Sequence, residues 1–324
     1  MKAIQHYQSQ FIAHLEAYNK ARGPLSLYEP IQYILGLGGK RLRPILTLMT
    51  TDCFDGEVSN ALDASLAIEV FHNFSLIHDD IMDKAPLRRG QKTVHEKWNL
   101  NVGILSGDAM LIMAYKLFEG YNAKQFQELT GLFSRTALQV CEGQQFDIDF
   151  ETRTDVSIQE YLKMIEYKTA VLVAAAMQMG AIVADASKEN QQKCYDFGRN
   201  LGIAFQLQDD FLDAFGDSKT FGKQVGGDII ENKKTYLYLK AMALGSEVDK
   251  RKLKTLYGKN SFHSDEKIAT VLQIFEQTGA TEATNQSIQD YTKAAFEVLN
   301  SLEIDPIKKE PLRDFGIQLM TRTS

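Results

Sequence analysis

The sequence predicts an all-α protein, one large helical domain of roughly ten core helices with shorter pieces between them. Proline is scarce, with only 6 among 324 residues, and several prolines mark joints between segments. The segments between these joints have helical periodicity. No Asn-Gly or Asp-Gly pair joins strand-like runs, apart from Asp55-Gly56, which is typical of a helix–helix turn.

Four long segments carry the helical pattern. In Ala61 to Met82, apolar residues recur at spacings of two to four, as on one face of a helix. The same pattern runs through Ile158 to Ala184, Asn190 to Phe215 and Lys267 to Leu302. The stretch Val171 to Val183 is apolar on most faces, which predicts a central position. Since no low-complexity linker divides the chain, we expect a single domain over residues 1 to 324.

Composition narrows the functional classes. The chain has 36 Lys plus Arg against 42 Asp plus Glu, whereas nucleic-acid-binding proteins are usually basic. Its three cysteines are widely spaced without a CxxC pair, which is typical of reduced thiols in the cytoplasm. The start of the chain has no apolar run of signal-peptide type. The most apolar stretch, Ala170 to Ala184, is short for a membrane span, so we expect a core helix and no stable membrane insertion.

The acidic pattern Asp-Asp-x-x-Asp occurs twice, each time at the carboxyl end of an apolar helical segment. Its members are Asp79, Asp80 and Asp83 in the first copy and Asp209, Asp210 and Asp213 in the second. Residues four apart share a helix face, so the outer two aspartates of each copy point the same way. One copy alone is typical of a solvated helix end. Two copies after apolar segments predict a Mg²⁺ site, because Mg²⁺ prefers few carboxylates together with water and phosphate oxygens.

Cations flank both acidic patterns and predict an anionic substrate. They lie in the segments Gly38-Gly39-Lys40-Arg41-Leu42-Arg43-Pro44, Arg88-Arg89-Gly90, Lys168-Thr169 and Phe221 to Asp228. Arg88-Arg89-Gly90 begins five residues beyond Asp83, so we expect it at the same end of the same helix. Arginine forks bind phosphate oxygens in a bidentate way, and lysine acts as a point charge. Arg41 or Lys234, taken singly, is typical of a surface cation. The set as a whole predicts a site that binds a polyphosphate.

An apolar interior beside a metal-bound polyphosphate suggests ionisation chemistry. Metal ions act as Lewis acids on a leaving group and could draw a diphosphate away from an allylic carbon. The resulting carbocation needs a pocket that excludes water. Candidates to line that pocket, each of which is ordinary core by default, are Phe71, Phe74, Met110, Met113 and Phe205.

In their order, the motifs resemble those of the trans-type polyprenyl (isoprenyl diphosphate) synthases. The motifs are GGKRLRP, DDIMD followed by RRG, Gly143-Gln144, Lys168-Thr169, FQLQDDFLD and GKxxGGD, and they cover nearly the whole chain. The resemblance implies an all-α bundle around a deep central cavity, usually a homodimer. It further implies a short-chain synthase that condenses isopentenyl diphosphate with allylic diphosphates by Mg²⁺-assisted ionisation.

The resemblance also implies roles for individual residues. Asp79, Asp83 and Asp209 would hold three Mg²⁺ on the allylic diphosphate, with Asp80, Asp210 and Asp213 in support. Arg88, Lys168 and Lys223 would bind the same diphosphate, with Lys233 nearby. Lys40, Arg43, His72 and Arg89 would bind isopentenyl diphosphate, and Thr169 and Gln206 would offer oxygens to the developing cation. Family members often end in a basic tail, whereas this chain has only Arg322 in its last six residues.

Product length is expected to depend on residues one helical turn before Asp79. One isoprene unit is about as long as one turn, about 5 Å, so such residues would form a floor under the growing chain. Phe74 is bulky but Ser75 leaves room, which favours the twenty-carbon geranylgeranyl product, with farnesyl diphosphate as the alternative. A further floor could come from Asn101 to Phe118 or from a partner chain.

Other functions fit the motifs less well. A terpene cyclase shares the first acidic motif but normally replaces the second with an Asn/Ser/Glu triad, and it needs no second diphosphate site. A non-catalytic synthase subunit would have eroded acidic motifs, and both are intact here. A pyrophosphatase would not need the long apolar interior.

Overall fold

Helices make up most of the chain, and the all-α prediction is confirmed. The computed structural model describes residues 2–216, 226–258 and 264–321, so Lys223 and Arg322 lie outside the described residues. The helices are α1 (Lys2–Tyr18), α2 (Leu25–Gly36), α3 (Leu42–Cys53), α4 (Leu62–Met82), α5 (Val94–Lys97), α6 (Leu100–Lys116), α7 (Ala123–Thr152), α8 (Ile158–Ile165), α9 (Val171–Val183), α10 (Lys188–Phe215), α11 (Gly227–Ile230), α12 (Tyr236–Leu244), α13 (Glu247–Tyr257), α14 (Ser264–Gln277), α15 (Ala280–Asn300) and α16 (Pro306–Met320). A 3₁₀ turn, Val58–Ala61, precedes α4, and a π-helical turn, Glu166–Ala170, joins α8 to α9.

Contacts within the chain group it into two compact units. Unit 1 comprises Met1–Ala137, Leu172–Tyr195 and Ser301–Leu312. Unit 2 comprises Leu138–Val171, Asp196–Asn300 and Arg313–Ser324. The single domain expected from the sequence stays a prediction.

In unit 1, helix α4 is the central element. Its residues from Ala64 to Phe71 are buried without interruption, so this part of the helix has neighbours on all sides. Helix α6 packs closely against it, because a Cβ added at Gly107 would lie 2.3 Å from His78 Nε2 and one at Gly103 would lie 2.9 Å from Ile81 Cδ1. The carboxyl end of α4 is thereby held in place where the first acidic motif lies.

Unit 2 has its own apolar core. Helix α12 is buried over most of its length and packs against α14 and α15, with Leu237, Leu253 and Phe275 almost fully buried. Tyr161 on α8 and Leu207 on α10 belong to the same cluster. This core therefore anchors the helix that carries the second acidic motif.

Three details differ from the sequence-based prediction. The predicted helix Ile158 to Ala184 is interrupted by the π-helical turn, and Lys267 to Leu302 is broken between α14 and α15, where Gly279 has a φ of 75°. The segment Arg88-Arg89-Gly90 was placed at the end of a helix. It instead forms an antiparallel hairpin of β1 (Leu87–Arg88) and β2 (Gln91–Lys92), because both turn residues have positive φ, 53° and 74°, as type I′ turns require.

Candidate active site

The first acidic motif lies where helix α4 ends. Asp83 still has right-handed helical angles, and its N–H donates to the Asp79 carbonyl at 2.9 Å, so the two side chains leave the same face. Lys84 then turns left-handed with a φ of 52°, and Ala85 N–H donates to the Asp80 carbonyl at 2.9 Å. This C-terminal capping turn ends the helix and sends the chain into the hairpin.

The middle aspartate of this motif binds an arginine of the hairpin. Arg88 Nε donates to Asp80 Oδ1 at 2.8 Å and to Oδ2 at 2.9 Å, and Arg88 Nη2 lies 2.6 Å from Oδ1. Arg88 Nη2 also lies 3.6 Å from Asp79 Oδ2. The Asp80 side chain is only 1% exposed. Burial raises the pKa of Asp80, and the hydrogen bonds and charge of Arg88 oppose that rise. Asp80 therefore holds Arg88 beside Asp79.

A cluster of cations lies on the same unit, around His72. Arg43 Nη1 lies 3.3 Å from His72 Nε2, and since arginine only donates, Nε2 accepts. Arg89 Nη1 donates to the Gly38 carbonyl. Burial, and then the charges of Arg43 and Arg89, hold the pKa of His72 well below its usual value. His72 is therefore neutral in a strongly positive setting, which suits an anion. Lys40 is exposed in the adjoining loop.

Arg41 differs from the surface cation that the sequence suggested. Its residue is only 7% exposed, and it forms an ion pair with Glu69, which is 2% exposed. The local sequence gave no signal for this, because Glu69 lies 28 residues away.

The second acidic motif lies on α10 in unit 2. The outer pair, Asp209 and Asp213, is half-buried, and its members are four residues apart on the helix. The middle residue, Asp210, accepts hydrogen bonds from Tyr161 OH and from Gln206 Nε2, the latter at 2.9 Å. Burial, and then the charge of Asp228, raises the pKa of Asp210 to about 8, while these two hydrogen bonds oppose the rise.

The π-helical turn brings Lys168 and Thr169 to the same site. Thr169 Oγ1 donates to Gln206 Oε1 at 3.1 Å, and Lys168 Nζ lies 2.5 Å from Asp147 Oδ2. Helix α7 can approach this turn only because Gly143 has no side chain, since a Cβ there would lie 2.3 Å from Lys168 N. The Gly143-Gln144 motif thus has a steric role in this unit.

The segment after the second motif returns to it through α11. Asp228 N–H donates to Asp213 Oδ2 at 3.0 Å. Lys233 Nζ lies 3.5 Å from Asp228 Oδ1, and Lys234 Nζ donates to the carbonyls of Phe150 and Glu151. Lys234 is therefore half-buried over the end of α7, and it is more enclosed than a typical surface cation.

These residues of unit 2 line a cavity of about 130 Å³. Its polar walls carry both signs of charge, with Asp147, Asp210 and Asp228 facing Lys168, Lys233 and Lys234. Thr169 and Gln206 complete the polar lining, and Phe150, Met164 and Ile165 supply an apolar side. Asp147, Tyr161 and Asp228 were not assigned roles from the sequence, because their partners lie far away along the chain or in another motif.

The carboxylates of the two acidic motifs suit a hard divalent ion that also binds the substrate. Within residues 2–216, 226–258 and 264–321, no three Asp, Glu, His or Cys side chains are gathered into a group that could hold a metal ion alone. In each motif the middle aspartate is buried against other residues, and the outer two aspartates lie together on one helix face. Mg²⁺ is commonly held by one or two carboxylates plus phosphate oxygens, so such pairs suit it.

In the described part of the chain, none of the helices is both long enough and apolar enough to cross a membrane. The apolar helix α9, for example, has 13 residues, against about 20 for a span. The prediction of a buried core helix at this position is confirmed, since most of α9 is buried.

Comparison with known proteins gives consistent matches. Residues 24–275 match a family model described as Polyprenyl synthetase. Geranylgeranyl diphosphate synthase of Sulfolobus acidocaldarius is 40% identical over 281 residues, which cover 85% of this chain and 84% of the relative.

Solved structures match over the full length. A crystal structure of a geranylgeranyl pyrophosphate synthase has a TM-score of 0.95 and 53% identity, covering 99% of each chain. A polyprenyl synthase from Caulobacter crescentus CB15, complexed with calcium and isoprenyl diphosphate, has a TM-score of 0.88 and 25% identity, covering 100% of this chain and 98% of that chain.

Proposed function

The chain belongs to the polyprenyl synthetase family and is a prenyltransferase, and we propose that it condenses isopentenyl diphosphate with allylic diphosphates to make geranylgeranyl diphosphate. The observation that supports this proposal is that unit 1 contains two chemically different groups of side chains, each suited to an anion. One combines carboxylates with Arg88 and suits a diphosphate that binds with metal. The other contains Arg43, His72 and Arg89, and suits a diphosphate that binds without metal. Two such sites support a reaction of two diphosphates, whereas a cyclase or a pyrophosphatase needs only one.

The proposed reaction begins when the bond between C1 and oxygen of the allylic diphosphate breaks. C4 of isopentenyl diphosphate then attacks C1, and the proton at C2 leaves to the departing diphosphate, so no side-chain base is needed. Arg88, Lys168 and Lys233 would bind the leaving diphosphate, and Lys223 would join them. Thr169 and Gln206 would direct oxygens at the cation. The apolar wall of the cavity would keep water away from it.

The proposed cofactor is Mg²⁺, in the three copies that the family resemblance implies. When bound, it would neutralise and polarise the leaving diphosphate. Asp79 and Asp83, together with Asp209 and Asp213, would supply the carboxylates, and Asp80 and Asp210 would support them from buried positions. Isopentenyl diphosphate would bind at Lys40, Arg43, His72 and Arg89.

An incorporation assay tests this function directly. Purified protein is incubated with Mg²⁺, radiolabelled isopentenyl diphosphate and dimethylallyl, geranyl or farnesyl diphosphate, and the hydrolysed products are sized. A product series that ends at twenty carbons is expected, and chelation of the metal should abolish it. Incorporation with none of the three primers would contradict the proposal.

Product length is proposed to depend on Phe74 and Ser75 on α4. Phe74 is 8% exposed and its ring lies 5.4 Å from that of Phe71, so it is already packed. Ser75 is half-buried and donates to the His72 carbonyl at 2.8 Å, which leaves a small side chain at this level. Ser75→Phe should shorten the main product to fifteen carbons, while Ser75→Ala should leave it at twenty. An unchanged product with Ser75→Phe would show that the floor lies elsewhere.

A homodimer is proposed because helix α6 has an exposed apolar face. Leu105 and Ile112 lie two turns apart and are each 60% exposed, and Leu100 is 52% exposed. Replacing Leu105 and Ile112 together by lysine should give a monomer in sedimentation velocity. Leu244→Lys is a matched control, since Leu244 is 56% exposed on α12. Wild-type monomers at micromolar concentration would contradict the dimer. A cytoplasmic location stays a prediction.

A further inference from the structure

The motif residue Arg41 has no role in the proposed reaction, yet it is the most buried arginine of its segment. It immediately precedes α3 and has left-handed backbone angles, φ 49° and ψ 39°, which non-glycine residues rarely adopt. Its guanidinium forms an ion pair with Glu69 and donates from Nη2 to the Leu35 carbonyl at 2.5 Å. A strained backbone and a buried charge at one residue indicate that its side chain has a specific task.

Glu69 is held equally firmly on α4. Asn73, which is fully buried one turn later, donates from Nδ2 to Glu69 Oε1 at 3.0 Å and to the Glu69 carbonyl at 2.8 Å. The carboxylate of Glu69 therefore has a fixed orientation towards Arg41. His72 lies between Glu69 and Asn73 in sequence, so the same part of α4 carries both the ion pair and a proposed isopentenyl diphosphate residue.

The two bonds of Arg41 close a loop. Leu35 lies near the end of α2, and Arg41 follows residues 37–40, which we call the Gly38–Gly39 loop. Arg41 joins the two ends of this loop to each other and to α4. Gly39 has a φ of 123°, and a Cβ there would lie 2.9 Å from the Arg89 guanidinium, so the loop also fixes where Arg89 can lie. Arg89 in turn donates to the Gly38 carbonyl.

The charges around the loop explain why the partner of Arg41 is an acid. Burial lowers the pKa of Arg43, and the charge of Arg89 lowers it further, while Glu69 raises it. Burial also lowers the pKa of Arg89, where Arg41 adds to the effect and Glu69 opposes it. Glu69 is thus a counter-charge for several arginines that repel one another, and Arg41 donates a hydrogen bond to it.

We propose that the Arg41–Glu69 pair positions the isopentenyl diphosphate site by holding the ends of the Gly38–Gly39 loop. The loop carries Lys40 and supports Arg89, and Arg43 follows Arg41 by two residues. Arg41 and Glu69 are thus positioning residues, which act on the substrate through these cations. The inference rests on the proposed function, because it deepens the assignment of this site.

The test replaces Arg41 by lysine. Lysine keeps the buried positive charge but lacks the planar fork that reaches Glu69 and Leu35 together. Arg41→Lys should raise the KM for isopentenyl diphosphate about tenfold or more, with an unchanged KM for farnesyl diphosphate and a kcat close to that of wild type. Calorimetric titration with isopentenyl diphosphate alone should show the same fold-change in Kd. Tyr121→Phe is the control, because it removes hydrogen bonds at the amino end of α4 and should move neither KM.

A second variant guards against simple destabilisation. Arg41→Met combined with Glu69→Leu removes both charges together, which buried ion pairs tolerate better than the loss of one partner. A loop-positioning role predicts weak isopentenyl diphosphate binding in this variant even when its Tm equals that of wild type. The inference is overturned if the double variant has both the Tm and the isopentenyl diphosphate affinity of wild type. It is also overturned if Arg41→Lys raises the KM for farnesyl diphosphate together with that for isopentenyl diphosphate. If the wild type neither binds isopentenyl diphosphate nor incorporates it, the proposed function fails as well.

Discussion

The two acidic motifs have the same sequence pattern but use their middle aspartates differently. In unit 1, Asp80 is paired with a full positive charge, that of Arg88. In unit 2, Asp210 is bonded to two neutral donors, Tyr161 and Gln206. Burial raises the pKa of both carboxyls; hydrogen bonds and the charge of Arg88 oppose the rise in Asp80, whereas hydrogen bonds from Tyr161 and Gln206 oppose it in Asp210. In each motif the outer pair lies on one helix face, whereas the middle residue binds a neighbouring side chain.

The largest effect expected from this comparison concerns the outer aspartates. Asp79→Ala and Asp209→Ala should each lower kcat/KM by about 10³-fold, about 4 kcal/mol, because the leaving diphosphate would lose a metal-binding carboxylate. Both variants should unfold at the wild-type Tm within a few degrees, since neither residue is fully buried. If either variant kept more than a tenth of the wild-type kcat/KM, the proposed metal-binding role of the outer aspartates would be contradicted.

A smaller effect is expected from filling two close helix contacts. Gly143→Ala would press a methyl group against the Lys168 backbone, whereas Gly107→Ala would meet the far end of the His78 side chain. We expect Gly143→Ala to lower the free energy of unfolding by about 3 kcal/mol and to impair catalysis, because the Lys168 backbone cannot move away without shifting the π-helical turn. Gly107→Ala should cost about 1 kcal/mol, because a side chain can rotate. Urea unfolding of both variants would measure this, and equal costs would show that the π-helical turn is adaptable.

The smallest effects concern the middle aspartates themselves. Asp80→Asn removes the nearest carboxylate from Arg88, which still lies 3.6 Å from Asp79, and should cost about 2 kcal/mol. This value is below that of a fully buried pair because the Arg88 side chain is 26% exposed. Asp210→Asn keeps an acceptor for one of its two neutral donors and should cost about 1 kcal/mol. Thermal unfolding at pH 7 compares the two. A larger cost for Asp210→Asn would reverse the assignment of which motif depends on charge pairing.

The sequence predicted the features that depend on residues a few positions apart, but it did not predict side-chain partners that lie far apart along the chain. Helix geometry alone predicts that Asp79 and Asp83 share one helix face and that Asp209 and Asp213 share another. The burial of Arg41 depends on an acid 28 residues away, and the partner of Lys168 is 21 residues away, so no periodic pattern could reveal either.

Two misses did have a signal in the sequence. Pro86 and Gly90, on either side of Arg88-Arg89, are turn residues that argue against a continued helix. Gly279 likewise lies inside the segment that was predicted as one helix, and glycine is common just after helix ends. The sequence has no comparable signal for the π-helical turn, since the residues from Glu166 to Ala170 fit a regular helix equally well.

The hairpin between β1 and β2 sends two adjacent arginines to different destinations. Arg88 reaches Asp80 and Asp79, while Arg89 reaches the Gly38 carbonyl, although their Cα atoms are only about 3.8 Å apart along the chain. A single peptide unit therefore sets the spacing between the proposed metal-dependent and metal-free diphosphate sites. An insertion or deletion of one residue there would shift the register and exchange the two arginines. We infer that this stretch tolerates changes of side chain far better than changes of length.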